Sequence, residues 1–366
     1  MRITLDATPL VGVRTGIGRY VEHLVAALPG ALERRDVDAE VVVSTWTARG
    51  GAVEGLPPGV VQTGRRVPAR LVRSLWRRGG WPPVELLIGR TDVFHGTNFV
   101  SPPTRRAREV VTVHDLTYER HAATVDAASL LYRELVPRAL ARGAQVVTPT
   151  EVVAADVREH YGLPPHQVTV TPLGVEEAWF NATPAPAAWL AQRGLPGEYV
   201  LFVGSLDPRK NLRRLLDAHA LLRTRDPDVP DLVLAGPAGR ERDLADRPGV
   251  HLTGWLSDTE LRGVVAGARA LALPSLDEGF GLPALESLAA GRHVLAADIA
   301  VLHEVAGTLA VYAEPLDVDG LADGLAEVLA VPDGAPARAA RQAWARGFTW
   351  ARTAERTVDV YLDVAS

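Results

Sequence analysis

Short runs of β-branched and aliphatic residues alternate along this chain with segments of helical periodicity. The first half contains six runs that predict strands: RITLDA, AEVVVSTW, DVFHGT, EVVTVHD, AQVVTPT and VTVTPLGV. Six more follow in the second half: YVLFVGS, DLVLAGP, VHLTGW, ARALALPS, HVLAAD and LAVYAEP. Strands that alternate with helices, and that are apolar on both faces, are typical of parallel sheets covered by helices. The pattern therefore predicts an α/β protein with two doubly wound sheets.

The two series of strands are separated by ATPAPAAWLAQRGLPGE, residues 182–198, which is rich in Pro and Ala and has no clear strand pattern. We predict one doubly wound domain over residues 1–182 and a second over residues 183–348. Residues 349–366 predict a final helix, with Thr349 as its N-cap, that packs back on the first domain. Because ligands of such sheets bind at the carboxyl ends of the strands, two facing domains would hold one substrate on each side of a cleft.

Composition excludes several classes of function. The 366 residues carry a formal net charge of −5, which argues against a general nucleic-acid binder. Cysteine is absent, so neither disulfides nor thiolate metal sites can form, and no spacing of ligands predicts a metal site. No stretch approaches the ~18 consecutive apolar residues of a membrane span, and MRITLDATPL lacks the apolar core of a signal peptide. We expect a cytoplasmic protein.

The segment LPSLDEGFGLPALESLAAG, residues 273–291, carries the strongest functional signal. A strand end is followed by a loop with Gly279 and Gly281, and then by a helix. Loop glycines and a helix N-terminus form a site for anions such as phosphate. Glu278 and Glu286 flank this site, and because carboxylates do not bind phosphate, we expect them to bind hydroxyl groups of a sugar and a ribose. The alternative is a turn acid and an exposed helix acid.

A second signal is VLFVGSLDPRKN, which predicts a strand, a glycine turn and a helix capped by Asn211. Arg209 and Lys210 stand immediately before that helix, and Lys210 is the only lysine in the chain. Both side chains suit phosphate oxygens, and a departing diphosphate in a metal-free site needs such cations. The alternative is an ordinary solvated turn.

The first half contains further candidates whose role the residues leave open. RTGIGRY places Gly16 and Gly18 before a helix, where they either make a tight turn or approach a phosphate. His95 and His114 end two predicted strands, so each either faces a ligand or is a hydrogen-bonded core imidazole.

Residues 65–78, RRVPARLVRSLWRR, contain six arginines and no acid. Val67, Leu71, Leu75 and Trp76 form a rough helical stripe. One interpretation is a solvated helix whose apolar side packs on the first domain. The other is a basic amphipathic helix that contacts an anionic acceptor or an anionic membrane surface, which would place the protein at the inner face of the membrane.

The motifs EGFGLPALE, VGSLDPRKN, GIGRY, VHDLTY and HEVAG together resemble the retaining nucleotide-sugar glycosyltransferases of family 4. The resemblance covers nearly the whole chain, and its details are most similar to the mannosyltransferases that use GDP-mannose. It implies the GT-B fold, with two facing Rossmann-like domains. It also implies transfer of a hexose from a nucleotide-diphosphate sugar to an acceptor hydroxyl, with retained configuration, no required metal and no cofactor.

The resemblance also implies roles for individual residues. Glu278 would hold hydroxyls of the donor sugar, Glu286 the ribose, and His114 would lie near the transferred sugar. The residues implied in catalysis are His114, Arg209, Lys210 and Glu278. Those implied in binding the donor are Gly16, Gly204, Arg209, Lys210, Glu278, Gly279, Phe280, Gly281, Leu282 and Glu286. Many members have arginine directly after Gly204, where this chain has Ser205, so Arg209 would carry more of the charge.

We expect GDP-mannose as the donor, with a UDP-sugar as the second candidate. The acceptor is a saccharide, a lipid-linked saccharide or a natural product, because the loops of the first domain carry no recognisable code. A nucleotide-sugar epimerase and a glycosyl phosphorylase can use the same scaffold, and a regulatory subunit that binds nucleotide sugars is a non-enzymatic alternative.

Overall fold

A computed structural model describes residues 1–12, 14, 16–47, 52–64, 67–241 and 243–366. The chain divides into two compact units: unit 1 is Met1–Gly174 with Thr349–Ser366, and unit 2 is Val175–Phe348. The division falls after Gly174, whereas the sequence predicted a boundary at residue 182. The segment between these positions belongs to unit 2 because the ring of Phe180 packs against the guanidinium of Arg346 at 4.1 Å. The Phe180 carbonyl also accepts a hydrogen bond from Gln342.

The core of unit 1 is a parallel sheet of seven strands. They are β1 (Arg2–Asp6), β2 (Glu40–Ser44), β3 (Val61–Thr63), β4 (Val93–Gly96), β5 (Arg108–Thr112), β6 (Gln145–Thr148) and β7 (Val168–Val170). Their order in the sheet is β3-β2-β1-β4-β5-β6-β7. Six coincide with predicted strands. The sequence missed β3 because this edge strand has only three residues, none of them buried, and so lacks an apolar run.

Among the described residues of unit 1, six α-helices precede the chain's passage into unit 2. They are α1 (Gly16–Arg34), α2 (Ala69–Gly79), α3 (Glu85–Ile88), α4 (Thr117–Arg120), α5 (Tyr132–Ala141) and α6 (Glu151–Tyr161). The apolar residues of α1 at helical spacing are buried, among them Tyr20, Val21, Leu24 and Leu28. Helical periodicity therefore located the face of α1 that packs on the sheet.

Unit 2 contains a second parallel sheet, of six strands. They are β8 (Tyr199–Val203), β9 (Asp231–Ala235), β10 (Val250–Gly254), β11 (Ala270–Leu273), β12 (His293–Ala297) and β13 (Val311–Ala313). Their order is β10-β9-β8-β11-β12-β13. All six lie within predicted strands. Strands β8, β11 and β12 are buried along their whole length, as expected for strands covered by helices on both faces.

Helices of unit 2 precede the first of these strands, connect the strands and follow the last of them. They are α7 (Glu177–Phe180), α8 (Ala187–Gln192), α9 (Leu212–Arg225), α10 (Asp258–Gly267), α11 (Leu282–Ala289), α12 (Ala300–Ala306), α13 (Val318–Ala330) and α14 (Ala335–Ala345). Ser257 and Glu260 form a capping box at the start of α10, in which each side chain bonds the other residue's backbone N–H. This capping box fixes where α10 begins.

The last helix, α15 (Trp350–Ala365), returns to unit 1. The Thr349 side chain caps it by accepting a hydrogen bond from Arg352 N at 3.2 Å. Against α1, the rings of His23 and Trp350 stack at 4.8 Å between centroids. Within the described part of the chain, no helix is long and apolar enough to cross a bilayer.

Candidate active site

Two strand ends of unit 2 meet where the order of the sheet reverses. The chain runs outward from β8 through β9 and β10, and then returns to place β11 on the other side of β8. At such a switch point the loops that follow the two adjacent strands diverge and leave a crevice. Arg209 and Lys210 follow β8, and Glu278 follows β11. The topology therefore brings these three side chains to one edge of the sheet.

The three side chains form a tight ionic cluster. Lys210 Nζ donates to Glu278 Oε1 at 2.6 Å, and Arg209 Nη1 lies 3.3 Å from the other carboxylate oxygen, Oε2. Arg209 also donates to the Asp277 carbonyl, while its own carbonyl accepts from Leu276 N at 2.9 Å. The loops after β8 and β11 are thus joined by both side chains and backbone.

Charge governs the ionisation of Glu278, which is only 6% exposed. Burial acts to raise the pKa of this carboxyl, but the adjacent charges of Lys210 and Arg209 outweigh burial and lower the pKa to about 2. The carboxylate is therefore ionised throughout the neutral range. Two cations against one anion leave this cluster with a net charge of +1, which suits an anionic ligand.

The direct pairing was not predicted from the sequence. Arg209 and Lys210 were assigned to a diphosphate and Glu278 to a sugar, whereas the structure shows both cations bonded to Glu278. Lys210 is 8% exposed, so the alternative of an ordinary solvated turn is wrong for this residue. Arg209 keeps 24% of its side chain exposed and is the more accessible cation.

Asn211 has a role that differs from the predicted one. It occupies the N-cap position of α9 in a left-handed conformation, φ 58°, and its side chain does not cap the helix. Instead, its amide nitrogen donates to the carbonyls of Pro274 at 3.1 Å and Pro315 at 2.6 Å. Asparagine tolerates this backbone conformation better than most residues. Asn211 therefore ties the Lys210 turn to the loops after β11 and β13.

Gly281 makes the turn into α11. Its φ is 93°, and a Cβ at this position would lie 2.5 Å from Leu302 Cδ2. Phe280 is buried, and its ring contacts that of Phe348 edge-on at 6.0 Å. Because the first turn of a helix has unpaired N–H groups and a positive dipole end, the backbone after Gly281 is suited to phosphate oxygens.

Glu286 lies one turn inside α11 and is 3% exposed. The alternative of an exposed helix acid is therefore wrong. Burying a carboxylate is costly unless it is paired or hydrogen-bonded, so its place in α11 points to a specific contact.

Gly204 directly follows β8, before the turn that carries Lys210. Its N–H donates to Ala235 O at 2.9 Å. A Cβ on Gly236 would lie 2.0 Å from Gly204 O, so the loops after β8 and β9 touch backbone to backbone. This packing explains the glycine at 236, and the predicted contact of Gly204 with a donor remains a prediction.

In unit 1, His114 is fixed in orientation and tautomer. Its Nε2 lies 2.9 Å from the Thr97 carbonyl, and because a carbonyl can only accept, Nε2 carries the proton. The rings of Tyr20 and Phe99 contact the imidazole edge-on, at 5.0 and 5.4 Å. Burial lowers the pKa of His114, so the ring is neutral and Nδ1 is a hydrogen-bond acceptor.

Comparison with known proteins shows which family this chain belongs to. Residues 14–179 match the family described as Glycosyltransferase Family 4, and residues 197–330 match Glycosyl transferases group 1. The D-inositol 3-phosphate glycosyltransferase of Saccharomonospora viridis is 32% identical over 379 residues, which cover 90% of this chain and 86% of that protein. The chain belongs to glycosyltransferase family 4. The predicted family is thereby confirmed.

Two further similarities bear on this glycosyltransferase. The O-antigen chain mannosyltransferase B of Escherichia coli is 28% identical over 387 residues, which cover 99% of both chains. The structure of sucrose-phosphate synthase from Thermosynechococcus elongatus has a TM-score of 0.75 at 20% identity, with 100% of both chains covered. At this identity the likeness concerns the fold, and it confirms the predicted GT-B class.

His95 is a core residue of the glycosyltransferase and has no exposed surface. Its Nδ1 lies 2.6 Å from Tyr361 Oη, and its Nε2 lies 2.7 Å from Thr112 Oγ1. Burial lowers the pKa of His95 to about 3, so the imidazole is neutral. Both ring nitrogens are hydrogen-bonded within the core. Of the two roles that the sequence left open, His95 is therefore the core imidazole and does not face a ligand.

The two glycines of RTGIGRY also differ. Gly18 lies in the first turn of α1, and a Cβ there would lie 2.9 Å from Pro9 O, so glycine is needed for the close packing of α1 on Pro9. Gly16 begins α1, and a Cβ there would meet no atom within 4 Å. Among the described residues, nothing packed against Gly16 requires a glycine there, and its predicted approach to a phosphate remains a prediction.

The basic segment forms α2, although Arg65 and Arg66 lie outside the described residues. Val72 and Trp76 are the buried positions, and Trp76 Nε1 donates to Pro82 O at 2.9 Å. Leu71, which the predicted stripe placed on the packed side, is 53% exposed. The prediction was wrong here because the buried face follows Val72 and Trp76, four residues apart, and Leu71 lies beside that face.

Proposed function

We propose that this glycosyltransferase transfers mannose from GDP-mannose to a hydroxyl group of an acceptor, with retention of configuration. The observation that carries the proposal is the cluster of Arg209, Lys210 and Glu278 beside the glycine loop and the N-terminus of α11. Mannose is favoured because the E. coli relative, which aligns over 99% of both chains, is a mannosyltransferase.

Each part of the cluster has a distinct task in this proposal. The N–H groups around Phe280, Gly281 and Leu282 bind the diphosphate, and Arg209 adds a partly exposed guanidinium. As the bond from sugar C1 to the phosphate oxygen breaks, these groups stabilise the growing negative charge without a metal ion. The acceptor oxygen bonds to C1 on the same face, and its proton passes to the departing phosphate.

The carboxylates bind hydroxyl groups of the donor. Glu278 accepts from hydroxyls of the sugar, and its low pKa keeps it available as an acceptor. Lys210 holds that carboxylate in place through the 2.6 Å contact. Glu286 binds the ribose, and Gly279 lets the loop backbone approach. In unit 1, Nδ1 of neutral His114 is an acceptor that suits a hydroxyl of the transferred sugar, and Gly16 suits a phosphate.

The reaction is tested by incubating purified protein with GDP-mannose labelled in the sugar, with and without acceptor from a cell extract. The expected result is label in a new product together with GDP, and an α-linkage by NMR. An altered sugar in the absence of acceptor, or sugar release that depends on phosphate, would contradict transfer and support an epimerase or a phosphorylase.

A panel of nucleotides tests the donor. A ligand that binds only the folded state stabilises it by about 2.7 kcal/mol at 100 times its Kd. Among GDP, UDP, ADP and dTDP at equal concentration, GDP is expected to raise the melting temperature most. The measurement is differential scanning fluorimetry, with GMP as the control that lacks the diphosphate. A larger rise with UDP than with GDP would replace GDP-mannose by a UDP-sugar.

The basic helix α2 is expected to contact an anionic membrane surface. Leu71 is 53% exposed and Arg78 is exposed on the same helix, so an apolar group and a cation are both available. Each arginine near such a surface contributes about 1 kcal/mol. Binding to vesicles of phosphatidylcholine and phosphatidylglycerol should therefore weaken by at least about tenfold when Leu71 and Arg78 are both replaced by Glu.

Co-sedimentation with vesicles at low salt measures this binding. The matched control is Leu316→Glu, since Leu316 is 60% exposed and lies in unit 2. If the double variant and the control sediment equally with these vesicles, α2 does not contact the membrane. If the wild-type protein binds pure phosphatidylcholine as well as it binds the anionic vesicles, α2 does not contact an anionic surface.

A further inference from the structure

A second group of charged residues lies where the strands of the unit 2 sheet begin, whereas Glu278 lies where they end. It consists of Arg292, His293, Asp333, Arg338 and Arg341, and is called here the Arg292 cluster. His293 begins β12, whereas Glu278 follows the end of β11, and these two strands are parallel neighbours. The proposed transfer reaction uses none of these five residues.

The Arg292 cluster has more positive than negative charge. Asp333 accepts from Arg338 Nη2 at 2.6 Å and from Arg341 Nη2 at 2.7 Å, and Arg292 Nη1 lies 3.6 Å away. Three guanidinium groups against one carboxylate give a net charge of +2. Asp333 is the one acidic group, among the described residues, whose charge acts on both Arg292 and Arg341. Burial, together with the neighbouring arginines, lowers the pKa of both guanidinium groups.

Two buried N–H groups of the cluster have no hydrogen-bond acceptor among the described residues. Arg341 Nη1 donates to His293 Nδ1 at 3.1 Å, so the imidazole proton is on Nε2. His293 is 7% exposed, and its Nε2 has no hydrogen-bond partner, since Asp333 Oδ1 is 3.5 Å away and outside hydrogen-bonding geometry. Arg338 Nε is buried and unpaired as well. Unpaired buried donors are costly and rare in folded proteins.

We propose that the Arg292 cluster binds a phosphate-type oxyanion. A tetrahedral anion accepts several hydrogen bonds at once, and guanidinium groups present paired donors that match its oxygens. The N–H groups of His293 Nε2 and Arg338 Nε supply unused donors, and the excess charge supplies the attraction. Arg338 keeps 44% of its side chain exposed, so the cluster is open to solvent.

The surrounding backbone favours this arrangement. A Cβ on Gly291 would lie 2.4 Å from Arg338 Cγ, so glycine at the end of α11 makes room for the arginine. Arg341 donates to Gly291 O through Nε at 3.0 Å and Nη2 at 2.9 Å. That carbonyl is therefore satisfied by Arg341. The ligand is either inorganic phosphate or the phosphoryl group of a metabolite, since both present the same oxygens.

The experiment measures the melting temperature of the full chain with inorganic phosphate at constant ionic strength. Near 100 times Kd, phosphate is expected to raise the melting temperature of the wild-type protein by roughly 3 °C or more. Arg338→Gln should weaken phosphate binding by at least about tenfold, as expected for loss of a charged hydrogen-bond donor. The matched control is Arg225→Gln, which also removes an ion-paired helical arginine, 43% exposed.

A Lys210→Ala variant separates this site from the donor site, and each shift is referred to the variant's own melting temperature without phosphate. A shift kept in Lys210→Ala and Arg225→Gln but lost in Arg338→Gln supports the proposal. The proposal is overturned if the shift is lost in Lys210→Ala and kept in Arg338→Gln. It is also overturned if all variants show an equal shift, or if phosphate causes no shift. If the proposal holds, a larger shift with mannose 6-phosphate than with inorganic phosphate assigns the site to a phosphorylated metabolite.

Discussion

Replacement of Lys210 by alanine is expected to lower turnover of the sugar donor by at least about a hundredfold, which corresponds to about 2.7 kcal/mol. Lys210 Nζ is 2.6 Å from the buried Glu278 carboxylate, and alanine removes that contact. Loss of one partner from a buried ion pair costs about 3–5 kcal/mol of stability. Turnover is therefore measured well below the melting temperature and normalised to the folded fraction from circular dichroism.

Lys210→Arg is the more demanding form of this test. The rest of the chain uses arginine as its basic residue, so arginine is compatible with this protein wherever space allows. At position 210 the side chain is 10% exposed, and its Cε lies 3.6 Å from where a Gly204 Cβ would be. A planar guanidinium is larger than an ammonium group, so we expect the turnover to fall here too, by about tenfold or more.

The pH profile distinguishes loss of charge from general misfolding. In wild type, the pKa of Glu278 is held at about 2, so activity should not depend on this group near pH 5. In Lys210→Ala, burial is opposed only by the charge of Arg209 and the hydrogen bond of Ser275, so the pKa of Glu278 rises and residual activity falls as pH is lowered. Arg225→Lys is the control for an exchange at an exposed site. Wild-type turnover in both Lys210 variants would show that Lys210 does not serve the reaction.

The sequence predicted the strands well because their signal is local. Runs such as YVLFVGS and ARALALPS are apolar over the whole length of strands that the structure buries on both faces. The contact between Lys210 and Glu278 is not local, since 68 residues separate them. It depends on β8 and β11 being neighbours, and strand order is not written in any one segment. Both residues could be named from the sequence, but their pairing required the topology.

The two histidines show the same limit. His95 and His114 follow the same pattern, a polar ring at or just after the end of an apolar strand, and the sequence could not separate them. His95 is held in the core by Tyr361, which is 266 residues away in the sequence and bonds its Nδ1. His114 is oriented instead by the Thr97 carbonyl, which accepts from its Nε2. Asn211 was likewise predicted as a cap because its bonds to two distant carbonyls cannot be inferred from the neighbouring residues.

Glu286→Ala is expected to lower donor turnover by at least about a hundredfold as well, with weakened binding of GDP as the cause. Glu286 is 3% exposed in the helix whose N-terminus is proposed to bind the diphosphate, and a ribose held by two hydroxyl groups would lose a charged acceptor. The matched control is Glu327→Ala, which removes an exposed glutamate of α13.

Titration calorimetry with GDP, alongside kcat and KM for GDP-mannose, decides the role of Glu286. If the carboxylate binds ribose, Kd for GDP and KM for GDP-mannose rise together, while Glu327→Ala leaves both unchanged. If Glu286 only stabilises α11, the melting temperature falls and the Kd of the folded fraction stays near that of wild type. Full activity in Glu286→Ala would contradict the proposed donor site. In that site Glu278 binds the sugar, so Glu286 is the carboxylate that must bind the ribose.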